Sequence, residues 1–314
     1  INAMNRLRLL QETVLRQHDL IASHREHLLN EQRVAKAVLD QVAHSGCLNS
    51  SSLRLVQSPY ALFNGDLMLA AFTPSGDMRV FLGDFTGHGL PAAVGAMPLA
   101  EVFYGMTAKG YTMPQVLREM NAKLKRILPV DMFCCALLLN LSQQRAVVEV
   151  WNGGMPDGYR LSAEGAVLTP LQSRHLPLGI LGPGQFDDAV EVWPLAAGER
   201  VLLLSDGVLE TADAQERLFG EQRLRSVLAG NREPALLFSE LMQALALFGG
   251  QPRDDISLCD IRMPGAQEPL PAPVNYPDNG PTSPADWSLG FEVRGQSLRQ
   301  FNPVPYLVQL LQQV

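Results

Sequence analysis

Residues 79–94 read RVFLGDFTGHGLPAAV. Val80, Phe81 and Leu82 have the composition of a buried strand, yet the run ends in a carboxylate, Asp84. Gly87, His88 and Gly89 then lead to Pro91, a residue suited to the first turn of a helix. A charge is costly to bury unless it is paired or binds a metal. Asp84 therefore demands partners elsewhere in the chain, and where they lie decides the fold.

Working outward, DLMLAAFTPSGDMRVFLGDF (66–85) is two apolar runs around Pro74-Ser75-Gly76-Asp77, the chemistry of a tight turn between antiparallel strands. The hairpin brings Asp66 beside Asp84. Two helices are predicted next, Pro91 to about Ala108 and Pro114 to about Leu128. Five short runs punctuated by Gly, Pro and Asn read as strands: MFCCALLLNL (132–141), RAVVEVWN (145–152), GYRLSAEG (158–165), AVEVWPL (189–195) and RVLLLSDG (200–207). Helices over about 220–229 and 234–248 precede a last strand, DISLCDIRM (255–263). Hairpin-built sheets covered by paired helices predict a layered α+β domain.

The acids can now be placed. Asp66 opens one strand, Asp84 ends another, Asp206 ends a third, and Asp254 and Asp255 begin the last. Such a cluster repels itself, and Arg253 is the single basic residue adjoining these positions. Mg²⁺ or Mn²⁺ takes carboxylate, carbonyl and water oxygens, and its charge turns the repulsion into attraction. A dinuclear metal site is the economical reading. No member carries it alone: Asp206-Gly207 could be a turn, Asp255 a strand cap, Asp66 a turn residue, and His88 hydrogen-bonded structure rather than a ligand.

Gly87-His88-Gly89-Leu90-Pro91-Ala92 also fits G-x-G-x-x-A between a strand and a helix, the dinucleotide-binding pattern. Against it, Asp84 would stand near the pyrophosphate, a second helix follows the first so that the βαβ unit is missing, and no acid ends a second strand to take the ribose.

The motifs NGD (64–66), GDFTGHGLPAA (83–93), WNGGMP (151–156), PLGILG (177–182), SDGVLE (205–210) and RDDISL (253–258) occur in the order seen in bacterial serine phosphatases. Over about residues 50–263 the chain resembles the SpoIIE/RsbU type, a branch of the PP2C-like phosphatases. The resemblance implies an α-β-β-α four-layer sandwich, two Mn²⁺ or Mg²⁺ ions between the sheets, and hydrolysis of phosphoserine or phosphothreonine. It implies that Asp84 bridges the metals, that Asp66 and the Phe85 carbonyl complete one shell, and that Asp206 and Asp254 hold the other. Asp255 is the second acid of its pair. Asp84, Asp206 and Asp254 are the expected catalytic residues. The implied substrate is a phosphorylated STAS-type anti-anti-sigma protein, under an upstream receiver or sensory domain.

Two departures stand out. Met155 replaces the histidine of the usual NAGH, and Leu69 occupies the place of the second acid of G-G-D-x-x-D. Both bear on substrate contacts, and a catalytically impaired regulatory module that binds such a partner is the alternative reading.

Outside the phosphatase-like region, residues 5–43 contain neither Pro nor Gly and read as one helix. Every seventh residue from Leu7 (Val14, Ile21, Leu28, Ala35, Val42) is apolar, whereas the second seam (Leu10, Gln17, His24, Glu31, Val38) is partly polar. A coiled-coil linker over 1–45 that forms a homodimer is expected, the other solution being packing on its own domain. Residues 264–286 are Pro-rich and read as a linker. Residues 287–314 resemble the start of an anti-sigma-factor kinase domain, or form a docking segment. Ile1–Ala3 read as an expression remnant. A net charge of −7 in 314 residues argues against nucleic acid. Four cysteines without a C-x-x-C pair, and no apolar run long enough for a membrane span, point to a cytoplasmic protein with reduced thiols and no membrane partner.

Overall fold

Strict alternation along strands builds both sheets of the protein, seen in a computed structural model. It describes residues 46–58, 65–86, 90–231, 233–249 and 254–265, with helical residues between 14 and 30. The chain divides into two compact units, 1–274 and 275–314. The second unit, the 264–286 linker beyond Gly265 and the kinase-like stretch lie outside the described residues, as do Gly87, His88, Gly89 and Arg253.

In chain order the elements are β1 (Leu53–Ser58), β2 (Asp66–Phe72), β3 (Met78–Phe85), α1 (Leu90–Ala108), α2 (Met113–Ile127), β4 (Cys134–Ser142), β5 (Val147–Gly153) and β6 (Gly158–Leu161). They continue with β7 (Val167–Leu171), β8 (Glu191–Pro194), β9 (Arg200–Leu204), α3 (Asp206–Glu210), α4 (Gly220–Gly230), α5 (Leu237–Phe248) and β10 (Ile256–Arg262). One five-stranded sheet has the order β2-β3-β4-β5-β8 and the other β1-β10-β9-β6-β7. All of these pairings are antiparallel.

Side chains alternate across a strand, so each sheet has two apolar faces to cover. On β2 and β3, Leu67, Leu69, Phe81 and Phe85 pack with Leu99 and Phe103 of α1 and Leu117 of α2. The intervening Met68, Ala70, Val80 and Leu82 pack against Val201, Leu203, Cys259 and Ile261 of the second sheet. The far face of that sheet, with Leu202, Leu204 and Leu258, is closed by Leu224 and Leu228 of α4 and Leu241 and Leu245 of α5. Three cores separate four layers, the α-β-β-α sandwich expected. Each wholly buried Leu or Phe contributes about 1.5–3 kcal/mol.

Local chemistry sets the element ends. In the β2–β3 turn the Thr73 hydroxyl accepts the Asp77 N–H at 3.1 Å, and Gly76 takes a left-handed φ of +84°. At the start of α2 the Thr112 N–H donates to Gln115 Oε1 at 2.9 Å, with Pro114 in the first turn. Three features depart from the sequence reading. β9 stops at Leu204, and Asp206 opens the short helix α3 instead of ending the strand. The run 158–165 breaks at Leu161 into a turn where Gly165 has φ +89°, followed by β7. β1 and β7 form the outer edges of their sheet, where half-exposed residues and Pro170 weaken the alternation that marks a strand. The described residues of the N-terminal helix are all exposed, the seam positions Val14, Gln17, Ile21 and His24 among them; the other seam positions lie outside the described residues.

Candidate metal centre

Asp66 and Asp84 are direct cross-strand partners. By alternation they lie on the face of β2 and β3 that carries Met68 and Leu82, so both point between the sheets. Ser205, Ser257 and Asp255 continue the inward-facing positions of β9 and β10. The two sheets thus end together, and their polar ends meet. Asp66 is only 6% exposed, and burial pushes its pKa well above the usual carboxylate range against hydrogen bonds from Ser257 and Ser205. Burial and the charges of Asp206, Asp254, Asp255 and Glu210 push Asp84 up to about 7. Burial, Glu210 and Asp254 push Asp206 up to about 6.

Asp206 reaches the cleft because α3 packs on the approach to β10. A Cβ on Gly207 would lie 2.1 Å from the carbonyl oxygen of Asp255. The glycine of SDG is therefore a close-approach residue, not a turn residue. The Ser205 hydroxyl accepts the Ser257 N–H at 2.9 Å, and its one hydrogen is shared between the Asp255 carbonyl, 3.1 Å away, and Asp66. Asp254 Oδ1 accepts the Asp255 N–H at 2.8 Å, and Asp255 Oδ2 accepts the N–H of Gly65, next to Asp66. Phe85 is buried among the helix-facing residues, so only its backbone is available to the cleft.

All five predicted acids, with the Phe85 backbone, fall at this end of the sandwich. Glu210, Ser205 and Ser257 join them and were missed by sequence reasoning. Glu210 is one helical turn after Asp206, an i,i+4 spacing that was available as a signal; the serines have no signal outside the tertiary pairing. Met155 is 2% exposed and belongs to the inter-sheet core, while Leu69 is fully buried beneath the helices. Neither departure removes a group from the cleft.

An all-oxygen set of mutually repelling acids is what hard divalent cations take. Among the described residues no three His, Cys, Asp or Glu are already drawn into a coordinating group. The neighbouring thiol is no alternative nucleophile: burial, with Asp84 and Asp206 adding to it, raises Cys135 to about 12.

The fold is shared with solved phosphatase domains. The SiaA-PP2C domain of Pseudomonas aeruginosa matches with a TM-score of 0.66 at 18% identity, over 77% of this chain and 99% of that one. The SpoIIE phosphatase domain with a regulatory-domain fragment, from Bacillus subtilis, matches at 0.56 and 18%, over 67% and 62%. The RsbU and RsbW domains of a Mycobacterium tuberculosis protein match at 0.54 and 19%, over 68% and 61%. A comparison with curated proteins finds no match. The class is a PP2C-type phosphatase, a hydrolase. The family model described as Stage II sporulation protein E (SpoIIE) matches residues 74–264, more than half of the chain, and the chain belongs to that family. No described helix is long and apolar enough to cross a membrane.

Proposed function

We propose that the protein removes phosphate from a phosphoserine or phosphothreonine of a STAS-type anti-anti-sigma partner, using two Mn²⁺ or Mg²⁺ ions. Asp84, Asp66 and the Phe85 carbonyl on one side of the cleft, with Asp206, Asp254 and Asp255 on the other, would hold the ions. The observation that carries this reading is the pairing of Asp66 with Asp84 at the end of the inter-sheet cleft, within the field of the acids around β9 and β10.

When bound, the cations supply Lewis-acid chemistry: a water made nucleophilic near neutral pH and neutralised phosphoryl oxygens. The protein's own work is to hold the acids. Ser257 and Ser205 orient Asp66, the Gly207 contact keeps Asp206 beside the 254–255 pair, and the Gly65 N–H anchors Asp255. No side-chain nucleophile is needed. A catalytically impaired module loses its motive, since Met155 and Leu69 lie in the cores.

The substrate, and control by an upstream receiver or sensory domain, rest on the motif resemblance. The exposed Val14 and Ile21 support a homodimer through the helix of residues 1–45. The same reading takes 50–263 as the phosphatase domain, 264–286 as a linker and 287–314 as a kinase-like or docking segment. The test is phosphate release from a phosphorylated STAS protein with and without Mn²⁺, with Asp84→Asn as control. Metal-dependent release that the variant loses is expected. Wild-type rate in the variant overturns the site, no release by the folded wild type overturns the substrate, and a monomeric mass overturns the dimer.

A further inference from the structure

The end of β3 departs from regular strand pairing on both of its edges. In an antiparallel ladder, residues directly opposite exchange two backbone bonds at every second position, each N–H donating to the other's carbonyl. Two such pairs stand at the end of β3: Phe85 opposite Gly65 on the β2 side, and Thr86 opposite Phe133 on the β4 side. Each makes one of its bonds. The Phe85 N–H donates to the Gly65 carbonyl at 3.3 Å, and the Thr86 N–H to the Phe133 carbonyl at 3.0 Å. The return bonds go to side chains instead. Asp255 Oδ2 accepts the Gly65 N–H, and the Thr86 hydroxyl accepts the Phe133 N–H at 3.0 Å.

The effect falls on the peptide plane between Phe85 and Thr86. A trans peptide carries its C=O and N–H on opposite sides, so the Thr86 N–H that meets Phe133 turns the Phe85 carbonyl away from β4 and toward Gly65. There Asp255 has drawn off the N–H that would otherwise take it. Backbone carbonyls inside a protein are ordinarily paired, and this one is withdrawn from its ladder partner beside Asp66 and Asp84. On the other side the Thr86 hydroxyl grips Phe133 twice, accepting its N–H and donating to its carbonyl at 3.3 Å. With the Thr86 N–H, three bonds join these two residues just where the ladder itself stops.

We propose that Thr86 is a positioning residue of the metal centre: its hydroxyl, bonded to both backbone polar groups of Phe133, fixes the Phe85–Thr86 peptide so that the Phe85 carbonyl stays turned to the cleft. The inference rests on the metal-dependent phosphatase reading and adds to it a residue that acts through Phe85 rather than as a ligand. A role in strand structure alone needs no hydroxyl. Valine has the outline of threonine and favours strands, so in that role it would serve as well. Without the hydroxyl, the plane is held by the N–H of residue 86 alone. The Phe133 N–H is then left to recapture the carbonyl of residue 86, which prolongs the strand past the metal centre.

The experiment is calorimetric titration of Mn²⁺ into the metal-free 314-residue protein and into its Thr86→Val and Thr86→Ser variants, with Asp84→Asn as the control for the site. Thr86→Ser keeps the hydroxyl and should bind Mn²⁺ within about threefold of wild type, whereas Thr86→Val should bind about tenfold more weakly or worse, the usual cost of losing a group that orients a metal ligand. Urea denaturation in EDTA should show both variants folded; if Thr86→Val does not fold, Thr86→Ala, which also lacks the hydroxyl, is titrated against the same expectation. Wild-type affinity without the hydroxyl, or a loss in Thr86→Ser as large as in Thr86→Val, overturns the proposal and leaves the metal centre standing. A folded wild type that binds no Mn²⁺, or Asp84→Asn binding it as tightly as wild type, overturns the metal centre and the proposal with it.

Discussion

Replacing Asp84 with asparagine should abolish turnover and yet make the metal-free protein more stable. Burial first, then the charges of Asp206, Asp254, Asp255 and Glu210, raise this carboxyl from 3.8 to about 7. Between those pH values the folded chain holds a proton that the unfolded chain has released. Stability of the metal-free protein therefore falls as pH rises from about 4 to about 7, and the loss is complete above that. At 1.36 kcal/mol per pH unit the ceiling is about 4 kcal/mol. Water at the partly exposed edge of the cleft, and a repulsion shared with Asp206, bring the expectation to about 2–4 kcal/mol. Asparagine has the same shape and no charge to bury. Urea denaturation in EDTA at pH 8 should show Asp84→Asn more stable than wild type by that amount, with the gap closing near pH 4. Saturating Mn²⁺ should stabilise the wild type and leave the variant largely unchanged. A variant less stable than wild type at pH 8 in EDTA, or a gap indifferent to pH, would refute the electrostatic account of the cleft.

Three further outcomes are expected. Gly207→Ala drives a methyl into the Asp255 carbonyl, so calorimetry should find Mn²⁺ affinity reduced at least tenfold, with about 1–3 kcal/mol lost in denaturation. Glu210→Gln removes a negative charge that acts on both Asp84 and Asp206, so their carboxyls ionise at lower pH; the acid limb of Mn²⁺ binding, measured by calorimetry across pH 5–8 (an ordinary assay span of about three units), should move down. Asp260→Ala strands Arg200 beneath α4 and α5, where the two now form a bidentate pair with Asp260 fully buried. A loss of about 3–5 kcal/mol in thermal or chemical unfolding is expected, with metal affinity unchanged in the folded fraction.

The hairpin was legible because its turn chemistry and two alternating runs are local, and the same locality placed α1, α2, α4 and α5 within a few residues. β1 and β7 were not legible: each is a sheet edge whose outer side meets water or a loop, so the hydrophobic period that announces a strand is diluted. The need for Gly207 in SDG was hidden for a related reason. Asp-Gly is ordinary turn chemistry in isolation, and only the backbone at 254–255, some fifty residues away, requires that the residue after Asp206 have no side chain. Met155 and Leu69 were read as bearing on substrate contacts; in the structure both side chains face a core.

The sequence alone carried the candidate chemistry: five acids with almost no neighbouring base, at the ends of apolar runs, are a set of the type that hard cations take. Tertiary structure decided which acids meet. Only the β2–β3 register sets Asp66 against Asp84, and only packing of the two sheets brings Ser205, Ser257 and Glu210 into their field. A linear pattern carries charge and period, whereas desolvation and the pairing of distant polar atoms exist only once the layers have closed.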